Sequence, residues 1–355
     1  MKVMMTGGGT LGPVTPLLAV VEAWKKLDPS AHFVWVGTLN GPERTLVEKQ
    51  AIPFFGMQAP KLDRHAPLRW IFIPFRFLWS MKVAAELIRQ ERPDVVVTAG
   101  GYVSVPVLWV ARLLRIPTWV HQQDVRAGLA NLLMVPAATR VSVAWIKTIH
   151  KFPTKKTIHI GNPVRLSVVG GLKERAAARF GLNPDKPTVL VLGGGTGAVW
   201  INQAIASLAP ELVSRANILH ITGRGKQPEG EQPHGYVVVD LIAEGMNDVF
   251  ALADIVVCRA GMGTISELSA LRKPSIIIPM PNSHQEDNTE ALEELDAAII
   301  MHQERTSPQM LLQTLEELLA DAEERKKLGN RLHAALPTDG VAQELAQLIQ
   351  SLVKQ

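Results

Sequence analysis

Cysteine is all but missing from this chain. Cys258 is the only one among 355 residues, which excludes an internal disulfide and any metal site built from clustered thiolates. It stands in the apolar run at 254–258 and reads as a small buried hydrophobe. Long apolar runs are missing too: no stretch reaches the ~18 uncharged residues that a membrane-spanning helix needs. The first strand signal starts directly behind Met1-Lys2, so no secretory leader is expected and the protein reads as cytoplasmic. Paired carboxylates with Asp-x-Asp spacing are lacking, which argues against a metal-held diphosphate; neither a metal nor a cofactor is expected. Charge of one sign is only mildly in excess, at a net +4. That suits an acidic ligand or an anionic membrane surface and demands neither. The basic residues are dispersed and no aromatic–basic sheet motif is present, so nucleic acid is not an expected partner.

Glycine is plentiful, and its placement carries the signal. A short apolar strand runs into three consecutive glycines and then a helical pattern at residues 2–21, and again at 188–205. Glycine lets backbone amides approach a ligand closely, and the helix N-terminus behind it favours an anion. Strand signals recur at 1–6, 32–37, 52–57, 94–100, 116–122 and 139–145. A second series follows at 188–193, 217–223, 236–240, 254–259, 274–280 and 297–301. Helical patterns fall between them, 14–27 and 81–91 among them, and amphipathic segments at 307–333 and 339–353 close the chain. The apolar runs are continuous rather than alternating, as in parallel strands covered on both faces. This is the pattern of an α/β protein with two doubly wound parallel sheets. Gly161 and Pro163 mark 159–165 as a hinge. The expected division is 1–160, 161–337 and a terminal helix at 338–355 that returns to the first domain.

The first glycine turn has dinucleotide spacing at Gly7, Gly9 and Gly12, with Pro13 read at a first-turn helix position. The second strand, however, ends Val36-Gly37-Thr38-Leu39-Asn40, without the carboxylate that would hold a nicotinamide or flavin ribose. The second turn, at 193–197, lacks a P-loop lysine. Residues 258–288 are the most specific element: a strand, a glycine turn at Gly261 and Gly263, a helix read as starting near Thr264, a second strand and a polar loop. Such a helix N-terminus can hold a pyrophosphate, and Glu267, expected in its first turn, can accept both ribose hydroxyls. Arg259, Arg224 or Lys226 would neutralise a leaving group. Residues 68–82 break the pattern. Trp70, Phe72, Phe75, Phe77 and Trp79, about a quarter of the chain's aromatic side chains, gather there among Arg69, Arg76 and Lys82. They read either as a core helix entry broken by Pro74 or as an exposed apolar patch, rimmed by cations, that docks on an anionic membrane.

Taken in order, the loop at 7–12, TAGGYVSVP at 98–106, HQQD at 121–124, GNPVR at 161–165, LGGGTGA at 192–198, ITGRG at 221–225, CRAGMGTISE at 258–267 and PNSHQEDN at 281–288 resemble the MurG glycosyltransferases nearly throughout. The resemblance implies a GT-B fold, two Rossmann-like domains facing a cleft. It implies inverting, metal-independent transfer of N-acetylglucosamine from UDP-N-acetylglucosamine to the C4 hydroxyl of undecaprenyl-pyrophosphoryl-MurNAc-pentapeptide (lipid I), giving lipid II for peptidoglycan. The enzyme would be peripheral on the inner face of the cell membrane, with the acceptor on the first domain and the donor on the second. For the donor it implies Thr10, Gly12, Arg165, Gly195, Thr196, Asn202, Gly261, Met262, Gly263 and Thr264. Glu267 resembles the ribose-binding glutamate, Gln285 the glutamine that reads the sugar hydroxyls, and Ile242 the residue whose backbone reads uracil. For the acceptor and its phosphates it implies Gly8, Gly9, Gly100, Gly101, Tyr102 and Ser104. For the membrane it implies Arg69, Trp70, Phe72, Phe75, Arg76 and Trp79.

The departures from the family pattern fall on the acceptor half. Pro13 occupies the position of a histidine and cannot take a proton, while Leu11 and Val105 each replace a glycine. His-Glu-Gln-Asn becomes His121-Gln122-Gln123-Asp124. Asp124, with His121 as its neighbour, is the candidate general base. The alternatives are a related GT-B transferase with another lipid or polyprenol acceptor, or a membrane scaffold that binds UDP-sugar without turnover.

Overall fold

The computed structural model describes residues 1–61, 67–193 and 198–353, with backbone alone at 67–69. The chain folds as two units, Met1–Arg165 joined by Asp339–Gln355, and Leu166–Thr338. In the first, strands β1 (Lys2–Thr6), β2 (His32–Thr38), β3 (Phe54–Met57), β4 (Val95–Thr98), β5 (Thr118–Gln122), β6 (Arg140–Val143) and β7 (Thr157–His159) form one sheet. Helices α1 (Thr15–Leu27), α2 (Glu43–Lys49), α3 (Ile73–Glu91), α4 (Ser104–Leu113) and α5 (Leu129–Met134) connect them. The strand order is β3-β2-β1-β4-β5-β6-β7, every pairing parallel.

The second unit opens with α6 (Lys173–Phe180). It then alternates β8 (Thr188–Leu192), α7 (Val199–Leu212), β9 (Asn217–Ile221), β10 (Tyr236–Val239), α8 (Met246–Leu252), β11 (Ile255–Cys258), α9 (Met262–Ala270), β12 (Ser275–Ile277), α10 (Gln285–Glu293) and β13 (Ile299–Ile300). It ends with α11 (Pro308–Ala320) and α12 (Ala322–Ala335), and its parallel sheet runs β10-β9-β8-β11-β12-β13. The last helix, α13 (Val341–Val353), belongs to the first unit.

The strands read as unbroken apolar runs because both faces are covered. Val3, Met5, Val95 and Val97 enter the core beneath α1 with Leu17, Val21 and Trp24, while Met4 and Val96 enter the opposite core with Leu108 of α4. Helix α13 adds Val341, Leu345, Ala346 and Ile349, one helical face, to the α1 core. Burying each large apolar side chain stabilises by about 1.5–3 kcal/mol, so this helix is part of the first unit's core.

Local departures from expectation have local causes. Strand β7 was hidden by its short, half-polar sequence; it pairs with β6, and Ile160 N–H continues the ladder to Val143 O at 3.1 Å. The division between the units falls after Arg165, five residues beyond the expected 160. The segment 307–333 is two helices, because Asp321 leaves helical geometry and caps α12, accepting Glu324 N–H at 2.8 Å. Helix α1 begins at Thr15, with Pro16 in its first turn. Pro13 lies in the preceding turn, where Leu11 O accepts the N–H groups of Val14 and Thr15. Pro74 stands in the first turn of α3 and starts that helix rather than breaking it. Cys258 is buried, and burial pushes its thiol up to about 12. Among the described residues no helix is long and apolar enough to cross a membrane.

Candidate functional site

In an open parallel sheet, ligands bind beyond the carboxyl ends of the strands, where the winding reverses. In the first unit that point lies between β1 and β4, and the loops behind them carry Gly7–Gly9 and Gly100–Tyr102. Gly100 and Gly101 have φ of +118° and +94°, the left-handed region that favours glycine. A Cβ at Gly101 would fall 2.8 Å from Gly8 O, so the two turns touch. Ser104 is fully buried, donates its hydroxyl to Gly100 O at 3.1 Å and accepts from Thr6, bracing the turn. Thr10 and Gly12 lie on the exposed part of the first loop.

The sequence reading passed over Glu43. This acid stands three residues beyond Asn40, the end of the second strand signal, and begins α2. Glu43 is fully buried; Oε1 accepts Thr38 N–H at 2.7 Å and its hydroxyl at 2.5 Å, and Oε2 accepts Gly9 N–H at 3.3 Å. Burial and the nearby Glu43 charge both raise the Tyr102 hydroxyl above its usual value. A cavity of about 810 Å³ opens beside these groups, lined in part by Gly9, Leu39, Tyr102, Phe75, Arg76 and Trp79.

Beyond the cavity, the start of α3 and the 3₁₀ turn Pro67–Phe72 leave Ile71 72% exposed, Phe75 73%, Leu78 65% and Trp79 61%. Trp70 and Phe72 are exposed too, Arg76 lies among them, and the Lys82 ammonium sits 5.6 Å over the Trp79 ring. Of the five aromatic side chains, Phe77 turns partly inward, against the core. The segment is therefore an exposed apolar patch and not a core helix entry. The Arg69 side chain lies outside the described residues.

His121 is braced on both sides. It is fully buried, with Nδ1 at 2.9 Å from Ser142 Oγ and Nε2 at 2.8 Å from Asn162 Oδ1. The amide oxygen can only accept, so Nε2 carries the proton; Nδ1 then accepts from Ser142, which itself accepts from Trp119 Nε1–H. Desolvation drives the imidazole down to about 4, and the Asn162 bond opposes the shift only in part. The ring is enclosed, and both of its nitrogens are committed to partners within the first unit. Asp124 is half-buried in the turn behind β5. Gln122 holds that turn by donating to Asp124 O and Arg126 O, and Gln123 ties it to the first glycine loop by donating to Gly12 O at 3.1 Å. Gln123 Oε1 and Asn131 Oδ1 are buried without a hydrogen-bond partner among the described residues. Arg165 is half-buried at the end of this unit.

In the second unit the winding reverses between β8 and β11. Gly195 and Thr196, behind β8, lie outside the described residues. Behind β11, Gly261 caps α9 with extended backbone, accepts Ile265 N–H at 3.0 Å and has open space where a Cβ would stand. The helix starts at Met262, before Gly263 and Thr264, so half-buried Glu267 belongs to its second turn, not its first. Asn288 Nδ2 donates to Ala260 O, tying α10 to this turn, and Gln285 Oε1 accepts Met280 N–H at 3.0 Å. Ile242, behind β10, is buried.

Two groups expected to meet a ligand are committed internally. Arg259 donates to Ile278 O, Pro279 O and Gln303 Oε1, clamping the ends of β11 and β12; burial lowers its pKa. Asn202 is buried, donates to Thr222 O and Lys226 O, and meets His220 Nε2 at 3.0 Å through Oδ1. It holds the loop behind β9, on which Arg224 and Lys226 are exposed. His220 is also neutral: desolvation takes it to about 4, its Nε2–H points to Asn202 and its Nδ1 accepts from the Tyr236 hydroxyl at 2.8 Å.

Residues 3–143 match the glycosyltransferase family 28 N-terminal domain, and residues 188–343 match the glycosyltransferase family 28 C-terminal domain. The chain is 36% identical over 365 residues to a protein of Listeria monocytogenes, covering all of both chains. It is 35% identical over 319 residues to one of Lachnoclostridium phytofermentans, covering 88% of this chain and 89% of the relative. Both relatives are named UDP-N-acetylglucosamine–N-acetylmuramyl-(pentapeptide) pyrophosphoryl-undecaprenol N-acetylglucosamine transferase. The crystal structure of Acinetobacter baumannii MurG superposes with a TM-score of 0.74 at 26% identity, covering 99% of each chain. The two parallel α/β units are those of the GT-B fold. On these grounds the chain belongs to glycosyltransferase family 28, and within it to the MurG family.

Proposed function

We propose that this protein transfers N-acetylglucosamine from UDP-N-acetylglucosamine to the C4 hydroxyl of lipid I, making lipid II. The observation that carries this reading is likeness to transferases of that name along the whole chain, acceptor and donor halves alike. The second unit would take the donor. The α9 N-terminus, opened by Gly261, would face the diphosphate, Glu267 would hold the ribose, and the Ile242 backbone would meet uracil. The first unit would take the acceptor. In a single displacement the C4 hydroxyl attacks the anomeric carbon, inverting it, while UDP departs; Asp124 would receive the hydroxyl proton. The unpartnered oxygens of Gln123 and Asn131 suit donation from ligand hydroxyls. Fixed amide dipoles on the departing diphosphate would supply the electrostatic share, each worth about 2.7–4 kcal/mol. The exposed aromatic patch, with Arg76 and Lys82, would seat the protein on the anionic inner face of the cell membrane.

The test is radiolabelled UDP-N-acetylglucosamine with a short-chain lipid I analogue. Labelled lipid II analogue is expected, and donor hydrolysis without transfer would reject the reading. Asp124→Asn should lower transfer by about 10²-fold with donor binding retained, the usual scale for loss of a general base. Full activity in that variant would remove Asp124 from the role.

A further inference from the structure

Glu43 has no part in the reaction as set out above, yet its surroundings are unusual. Charged side chains are seldom fully buried without a counter-charge, and the partners described for Glu43 are neutral: the N–H and hydroxyl of Thr38 and the N–H of Gly9. All three donate, which suits an ionised carboxylate. Backbone closes on it from two sides. A Cβ at Gly8 would fall 2.1 Å from Oε1, and one at Gly41 would fall 2.0 Å from Oε2. On the far side of the loop, a Cβ at Gly9 would fall 2.9 Å from the Tyr102 ring. The first glycine turn is thus gripped between a buried carboxylate and the 100–102 turn. Packing alone would be served as well by an apolar side chain.

Resting on the transferase reading above, we infer that Glu43 is a positioning residue of the acceptor half: it draws the Gly9 amide inward and so fixes the turn that, with Tyr102, borders the cavity. Two consequences follow for the acceptor. The Gly9 N–H faces inward and is not a phosphate ligand, and negative charge beneath the turn opposes an anion there. The turn therefore receives a neutral, hydroxyl-bearing part of the acceptor, with the protonated Tyr102 hydroxyl as a donor.

Glu43→Gln in the full chain tests this, because it keeps the volume while its single amide oxygen cannot serve both Thr38 and Gly9. Hydrogen exchange of the amides at 7–12 should quicken, and kcat/KM for the lipid I analogue should fall about tenfold or more, the scale of a lost charged hydrogen bond. KM for UDP-N-acetylglucosamine should stay within about twofold. Should that variant not fold, Thr38→Val removes one donor from the carboxylate and should move both readouts the same way by less. Unchanged exchange overturns the inference, and so does faster exchange with wild-type acceptor kinetics. A wild-type chain that makes no product instead sinks the transferase reading, and the exchange measurement then decides the grip by itself.

Discussion

The two enclosed histidines make stability depend on pH in a way that can be worked from the structure. Desolvation lowers His121 and His220 from the ordinary value near 6.5 to about 4. The unfolded chain therefore binds more protons than the folded one between those values. Stability is fully present above about pH 6.5, falls as pH drops toward 4, and levels off below. At ~1.4 kcal/mol per unit, each histidine withdraws roughly 3 kcal/mol across that window and about 2 kcal/mol by pH 5, above most carboxylate titration. One lies in each unit, so each unit should lose its own share. Denaturant unfolding at pH 7.5, 6.5 and 5 measures the slope, and ring-labelled NMR follows each imidazole. Both rings should stay neutral to about pH 5 with the proton on Nε2. His220→Gln should flatten the slope for the second unit alone, although the variant starts less stable. An imidazole in the folded protein titrating near 6.5, or a slope indifferent to the substitution, would refute the reasoning.

Two further outcomes are expected. Phe75→Asp or Trp79→Asp should each weaken sedimentation with phosphatidylglycerol vesicles by about tenfold or more, since seating one such side chain in lipid is worth about 1.5–3 kcal/mol; undiminished binding would move the membrane contact elsewhere. Gly329→Ala should destabilise the second unit by about 1–3 kcal/mol or more in denaturant, because its Cβ would stand 1.9 Å from the Arg272 carbonyl oxygen, a backbone atom with nowhere to retreat.

Much of the architecture was legible because parallel strands covered on both faces leave continuous apolar runs, and twelve of the thirteen strands among the described residues announce themselves that way. The exception, β7, is three residues long with Thr157 and His159 at its ends, and its membership rests on pairing with β6. The split of 307–333 could have been found from Asp321 and Glu324, whose spacing is that of a capping box. The candidate site was less transparent. His121, Asn202 and Ser104 belong to residue types that meet ligands as readily as they brace turns. What decides between the roles is a partner far along the chain: Ser142 and Asn162 for His121, Thr222 and Lys226 for Asn202. Periodicity cannot supply that pairing. Glu43 escaped for the opposite reason, since an acid in a helix's first turn ordinarily reads as a solvated complement to the helix dipole. Only its enclosure by Gly8, Gly41 and Thr38 distinguishes it.

The return of α13 to the first unit makes the second unit, topologically, an insertion. The sheet from β1 to β7 is synthesised early, but Val341, Leu345 and Ile349, which complete the core under α1, emerge only after the whole of Leu166–Thr338. During translation the leading half must wait with part of its apolar floor uncovered, while the trailing half can finish first. Nicking or shortening the last dozen residues would consequently injure the lobe that begins the chain, not the one beside which those residues are written.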